Sequence, residues 1–123
     1  MVFLNHLTIR VSNYMASRDW YVKNFGFRVE FENIESGFGG LVDDGAVELI
    51  LVQSPLRAGE RDCALTLQCE SVHAKYRELV ARGIPFTHEP MNVPWGFGAE
   101  LADPDGYRVM IWDKHTMPGY KER

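Results

Sequence analysis

The chain has 123 residues, 46% of them apolar and 24% charged, with a formal net charge of -4. That is enough for one domain with its own core, and no apolar run approaches the roughly 20 residues that span a bilayer. The acidic balance lacks the basic stripe that nucleic acid requires.

The N-terminus, Met1 to His6, has no basic region followed by an apolar stretch, so no export signal is visible and a cytoplasmic location is expected. Leu7-Thr8-Ile9-Arg10-Val11 then alternates as a strand. A helical pattern follows over Tyr14 to Asn24, with Ser12 or Asn13 as N-cap and Gly26 suited to the left-handed position beyond its end. After Phe38-Gly39-Gly40-Leu41, an Asp43-Asp44-Gly45 turn leads into an apolar strand that carries Glu48. Gln53 to Asp62, with Pro55 and Gly59, reads as a linker.

The pattern then repeats. Leu65-Thr66-Leu67-Gln68-Cys69 answers the first strand, and a helix is predicted over Val72 to Arg82 between Ser71 and Gly83. Phe97-Gly98-Ala99-Glu100-Leu101 answers Phe38 to Leu41, and Asp103-Pro104-Asp105-Gly106 precedes a last strand through Met110 and Trp112. Each half thus reads as strand, helix and three strands. The boundaries fall at about 4–54 and 63–113, with a linker at about 55–62 and a tail at 114–123. Cys63 and Cys69 sit about 20 Å apart on one strand, beyond disulfide reach.

Period-2 alternation assigns the faces. Leu7, Ile9, Val11, Val47, Leu49, Leu51, Leu65, Leu67, Cys69, Val109 and Ile111 go under the helices. His6, Thr8, Arg10, Glu48, Ile50, Val52, Ala64, Thr66, Gln68, Met110 and Trp112 take the opposite faces, a mixed surface suited to a ligand. A carboxylate such as Glu48 on an apolar strand needs a partner: Arg10, His6 or a bound cation. It is also the candidate catalytic base, although no second catalytic group is identifiable. Trp95, Phe97 and Trp112 either stack on a flat ligand or serve as packing.

Three segments, Asn5-His6-Leu7-Thr8-Ile9-Arg10-Val11-Ser12, Ser17-Arg18-Asp19-Trp20-Tyr21 before Phe25-Gly26-Phe27, and Asp103-Pro104-Asp105-Gly106, come in order on the repeat. Together they resemble the vicinal oxygen chelate superfamily, which includes glyoxalase I, extradiol dioxygenases and bleomycin-resistance binding proteins. The resemblance implies an α+β fold of two βαβββ modules enclosing a cavity, and a homodimer. It places the metal-ligand positions at His6, Glu48, Ala64 and Met110, treating Glu48 and Met110 as equivalents. Only His6 and Glu48 can bind a hard divalent ion. The expectation is therefore a bleomycin-resistance-like protein that binds a small, flat or cationic molecule without a metal cofactor. Its contact residues would be His6, Thr8, Arg10, Glu48, Ile50, Thr66, Gln68, Trp95, Phe97, Met110 and Trp112. The alternative is a metal-dependent lyase or isomerase of glyoxalase type that uses His6 and Glu48 with other recruited ligands.

Overall fold

The computed structural model describes residues 1–56, 63–93 and 96–114. The chain divides into two compact units, Met1–Glu60 and Arg61–Arg123. Each is a helix packed on one face of a four-stranded sheet.

In the first unit, β1 (His6–Val11) is followed by α1 (Tyr14–Phe25), β2 (Arg28–Asn33), β3 (Phe38–Val42) and β4 (Glu48–Gln53). The strand order is β1-β4-β3-β2, with β1 parallel to β4 and the remaining neighbours antiparallel. The N-cap of α1 is Asn13, whose side chain accepts from Ala16 N–H, and Gly26 takes a left-handed φ of 71° just past the helix. Ile9, Val11, Tyr14, Tyr21, Phe27, Leu41, Leu49 and Leu51 form the core. Tyr14 extends it into a polar clip: its hydroxyl donates to Glu32 at 2.8 Å, and Arg18 donates to both carboxylate oxygens of Glu32. That clip ties α1 to β2.

The second unit repeats the plan with β5 (Ala64–Gln68), α2 (Val72–Ala81), β6 (Phe86–Val93), β7 (Gly96–Ala102) and β8 (Arg108–Asp113), in the order β5-β8-β7-β6. Ser71 caps α2 by accepting from Ala74 N–H. Leu65, Val72, Leu79, Ala99, Leu101, Tyr107, Val109 and Ile111 are buried. Asp103 organises the turn before β8, its carboxylate accepting from the amides of Asp105 and Tyr107.

The units share a fastening. In each, the last residue of the fourth strand reaches the first amide of the helix. Gln53 Oε1 accepts from Tyr14 N–H at 2.9 Å, and Asp113 Oδ2 accepts from Val72 N–H at 2.7 Å.

Two core assignments need correction. Leu7 is 44% exposed and Val47 36% exposed, although alternation turns both toward the helix side. Leu7 stands next to the start of β1, and Val47 precedes β4 altogether. No helix among the described residues is long and apolar enough to cross a membrane.

Candidate functional site: the open faces of the two sheets

The face of each sheet turned away from its helix is set by register. In the first unit His6 stands opposite Glu48, Thr8 opposite Ile50, and Arg10 opposite Val52. On the neighbouring strand Gly40 faces Ile50 and Phe38 faces Val52. His6, Thr8 and Arg10 are exposed, while Glu48, Ile50 and Val52 are half-buried. His6 Nδ1 lies 3.0 Å from Asn5 Oδ1.

Gly40 shapes this surface. A Cβ there would meet the Phe31 ring and lie 2.7 Å from Glu48 Oε2, so the carboxylate lies flat against β3 only because that position has no side chain. Glu48 Oε2 is buried and has no hydrogen-bond partner among the described residues. A buried carboxylate oxygen with no donor is unfavourable, and a ligand that supplied one would relieve it.

In the second unit Thr66 stands opposite Met110 and Gln68 opposite Trp112, while Ala64 faces Arg108. Glu100 faces Met110 and Gly98 faces Trp112 on the inner neighbour. Glycine again makes the floor. The Trp112 indole lies over Gly96, and Met110 Cγ and Sδ lie 3.3 Å from where a Cβ of Gly98 would stand. Trp112 Nε1 is buried without a hydrogen-bond partner among the described residues. Met110 and Trp112 are both half-buried, so the sheet offers a flat, soft platform.

These registers correct the equivalence of Glu48 and Met110 that the resemblance implied. Glu48 is opposite His6 as Arg108 is opposite Ala64, and Ile50 is opposite Thr8 as Met110 is opposite Thr66. The counterpart of Met110 is therefore Ile50, and that of Glu48 is Arg108. Phe97 is also misplaced by the sequence reading. It pairs with Asp113 on the helix face, with its ring centroid 5.1 Å from that of His73 on α2, and so leaves the open face. Trp95 lies outside the described residues.

Sequence reasoning missed Glu100, Phe31 and Gly40. Glu100 shares the face of Met110, its carboxylate accepting from Thr87 Oγ1 at 2.7 Å with Arg108 at 3.9 Å. Alternation along Phe97 to Leu101 was the available signal. Apart from these faces, a hollow of about 320 Å³ is lined by Ser12, Gln53, Ser54, Pro55 and Leu56. Cys69 makes a poor nucleophile, because burial, reinforced by the charge of Asp113, pushes its thiol up from the ordinary range.

The metal positions implied by resemblance can be tested on this donor set. Ala64 has no donor atom and Met110 offers only a thioether, which suits soft ions. Among the described residues no three of His, Cys, Asp and Glu converge on a point where an ion could sit. The described residues at these positions do not fit a hard divalent ion.

No curated protein matches the chain. Among solved structures, TnmS3, an antibiotic binding protein from Streptomyces sp. CB03234, is 25% identical with a TM-score of 0.77, over 92% of this chain and 96% of that one. A superfamily member from Sphaerobacter thermophilus DSM 20745 is 24% identical with a TM-score of 0.76, over 92% and 98%. A glyoxalase/bleomycin resistance protein from Streptomyces sp. CB03234 is 24% identical with a TM-score of 0.70, over 89% and 99%. The last two likenesses concern the fold alone. Residues 3–111 match the profile of the Glyoxalase/Bleomycin resistance protein/Dioxygenase superfamily, and with its two βαβββ units the chain belongs to that superfamily.

Proposed function

We propose that this chain is a small-molecule-binding protein of the antibiotic-binding kind, which holds a flat organic molecule without a catalytic metal. The carrying observation is the pair of mid-strand positions Ile50 and Met110. Both are apolar, both lie on the open faces, and Met110 rests beside Trp112 over a glycine floor. Such a surface favours stacking and dispersion over ion coordination. The likeness to TnmS3 supports the same reading. His6, Thr8 and Arg10 supply polar contacts beside Ile50 on the first sheet, and Thr66 and Gln68 supply them beside Met110 on the second; the active species is a homodimer, which sedimentation equilibrium would check.

The test is isothermal titration of chelator-treated protein against bleomycin and a panel of planar aromatic antibiotics. Saturable binding at micromolar Kd without added metal is expected. An absence of binding across the panel, with activity on an α-oxoaldehyde thiol adduct restored by a divalent ion, would overturn the proposal.

One observation favours a second reading, a metal-dependent lyase. His6 and Glu48 stand directly opposite each other across β1 and β4. That reading requires a stoichiometric metal in protein purified without chelator, lost in Glu48→Gln.

A further inference from the structure

We infer that the open face of the first unit is a recognition site for an organic cation, an amine or guanidinium, built by Glu48, Gly40 and Phe31. The inference rests on the small-molecule reading above and gives its ligand a charge.

The two units provide the comparison. Arg108 occupies in the second unit the register position that Glu48 occupies in the first, and Glu100 occupies that of Gly40. In the second unit the two positions carry opposite charges, and Arg108 Nη1 lies 3.9 Å from Glu100 Oε1, with Thr87 donating to the other oxygen of Glu100. Charge on this part of the sheet is answered from within. In the first unit the same strand position carries a carboxylate, and the place of its answering charge is a glycine. Glu48 Oε2 accordingly finds no donor among the described residues.

The surroundings select the kind of cation. A single half-buried carboxylate beside Ile50, Val52 and Phe38 cannot replace the hydration shell of a small inorganic ion, which needs six or so oxygen ligands. Phe31 is 42% exposed, and its ring edge and the Glu48 carboxylate both crowd the point where a Cβ of Gly40 would stand. The Phe31 and Phe38 rings pack at 6.4 Å between centroids, which holds that ring in place. A carboxylate next to an open aromatic face suits an organic ammonium or guanidinium, which takes charge from one and cation–π attraction from the other. Gly40 then acts in specificity, since any side chain there would lift the carboxylate off the sheet.

The experiment compares 1-naphthylmethylammonium with 1-naphthylmethanol, equal in ring but one cationic and the other neutral, by isothermal titration of the full chain. The ammonium should bind about tenfold more tightly, the gain from one charge-assisted hydrogen bond. Glu48→Gln should abolish that preference, and Phe31→Leu should reduce it. Equal binding of both probes to the native chain overturns the cation site and leaves small-molecule binding standing. Binding of neither sinks both. A tenfold preference that survives in Glu48→Gln would overturn the assignment to this carboxylate.

Discussion

Replacing Asp113 with Ala tests the fastening between strand and helix in the second unit. Asp113 is 1% exposed, and its Oδ2 accepts from Val72 N–H at 2.7 Å. The substitution removes a short charge-assisted hydrogen bond, worth about 1.5–3 kcal/mol, and strands a buried amide. It also withdraws a negative charge from the positive end of α2, worth up to about 1 kcal/mol more. A loss of about 3 kcal/mol follows, in which the hydrogen bond dominates. The counterpart in the first unit is the control. Gln53 makes the same contact at 2.9 Å from an exposed, neutral side chain, so Gln53→Ala should cost about 1 kcal/mol. Asp113→Asn, which keeps an acceptor and drops the charge, should fall between them. Urea denaturation followed by circular dichroism measures all three. If Gln53→Ala proved as costly as Asp113→Ala, charge and burial would not set the strength of the fastening.

Three further outcomes can be checked. Tyr14→Phe should destabilise most at intermediate pH. Its partner Glu32 is held below the ordinary value of 4.5 by the hydrogen bond from Tyr14 and then by Arg18, so that contribution is present above pH 4.5 and lost as the pH falls below it. Burial, followed by the Glu32 bond, raises Tyr14 above its ordinary 10.0, so its contribution is present below pH 10.0 and lost as the pH climbs past it. Melting wild type and variant from pH 3 to 11 should give a difference that narrows at both ends, and a flat difference would refute the clip. Gly98→Ala would place a Cβ 2.7 Å from the Ile111 carbonyl oxygen and should cost about 1–3 kcal/mol, whereas Gly40→Ala meets only side-chain atoms and should cost under about 1 kcal/mol. Trp112→Phe removes a buried N–H that has no acceptor among the described residues, so it should leave the melting temperature within a few degrees of wild type. The same variant should weaken binding of a planar ligand, read by titration.

The sequence made some of this legible because the controlling chemistry is local. Asn13, Ser71 and the left-handed Gly26 and Gly83 mark helix ends through bonds that span three or four residues. Alternation likewise gave the faces of β1, β4, β5 and β8, since the pleat fixes them wherever the strand runs straight. Register is another matter. The equivalence of Glu48 and Met110 came with the family resemblance, whereas the strand register makes Arg108 the counterpart of Glu48. Phe97 failed because the alternation that groups it with the buried Ala99 and Leu101 was not carried through Gly98. Glu48 was identifiable as a carboxylate in need of a partner. That Gly40 offers it none depends on β3 lying beside β4, a contact no local pattern records.

The parallel pairing of β1 with β4, and of β5 with β8, bears on how the chain folds. In each unit β2, β3 and β4, or their counterparts, join neighbours through short antiparallel connections, while the first strand must find the fourth across the rest of the unit. Closing that long loop costs entropy before any ladder bond repays it, so β1 and β5 should dock late in folding. Both are edge strands, and until they dock, β4 and β8 present an unpaired border to other chains. Late docking would therefore move the exposed border from the two strands that carry Glu48 and Trp112 to β1 and β5 themselves.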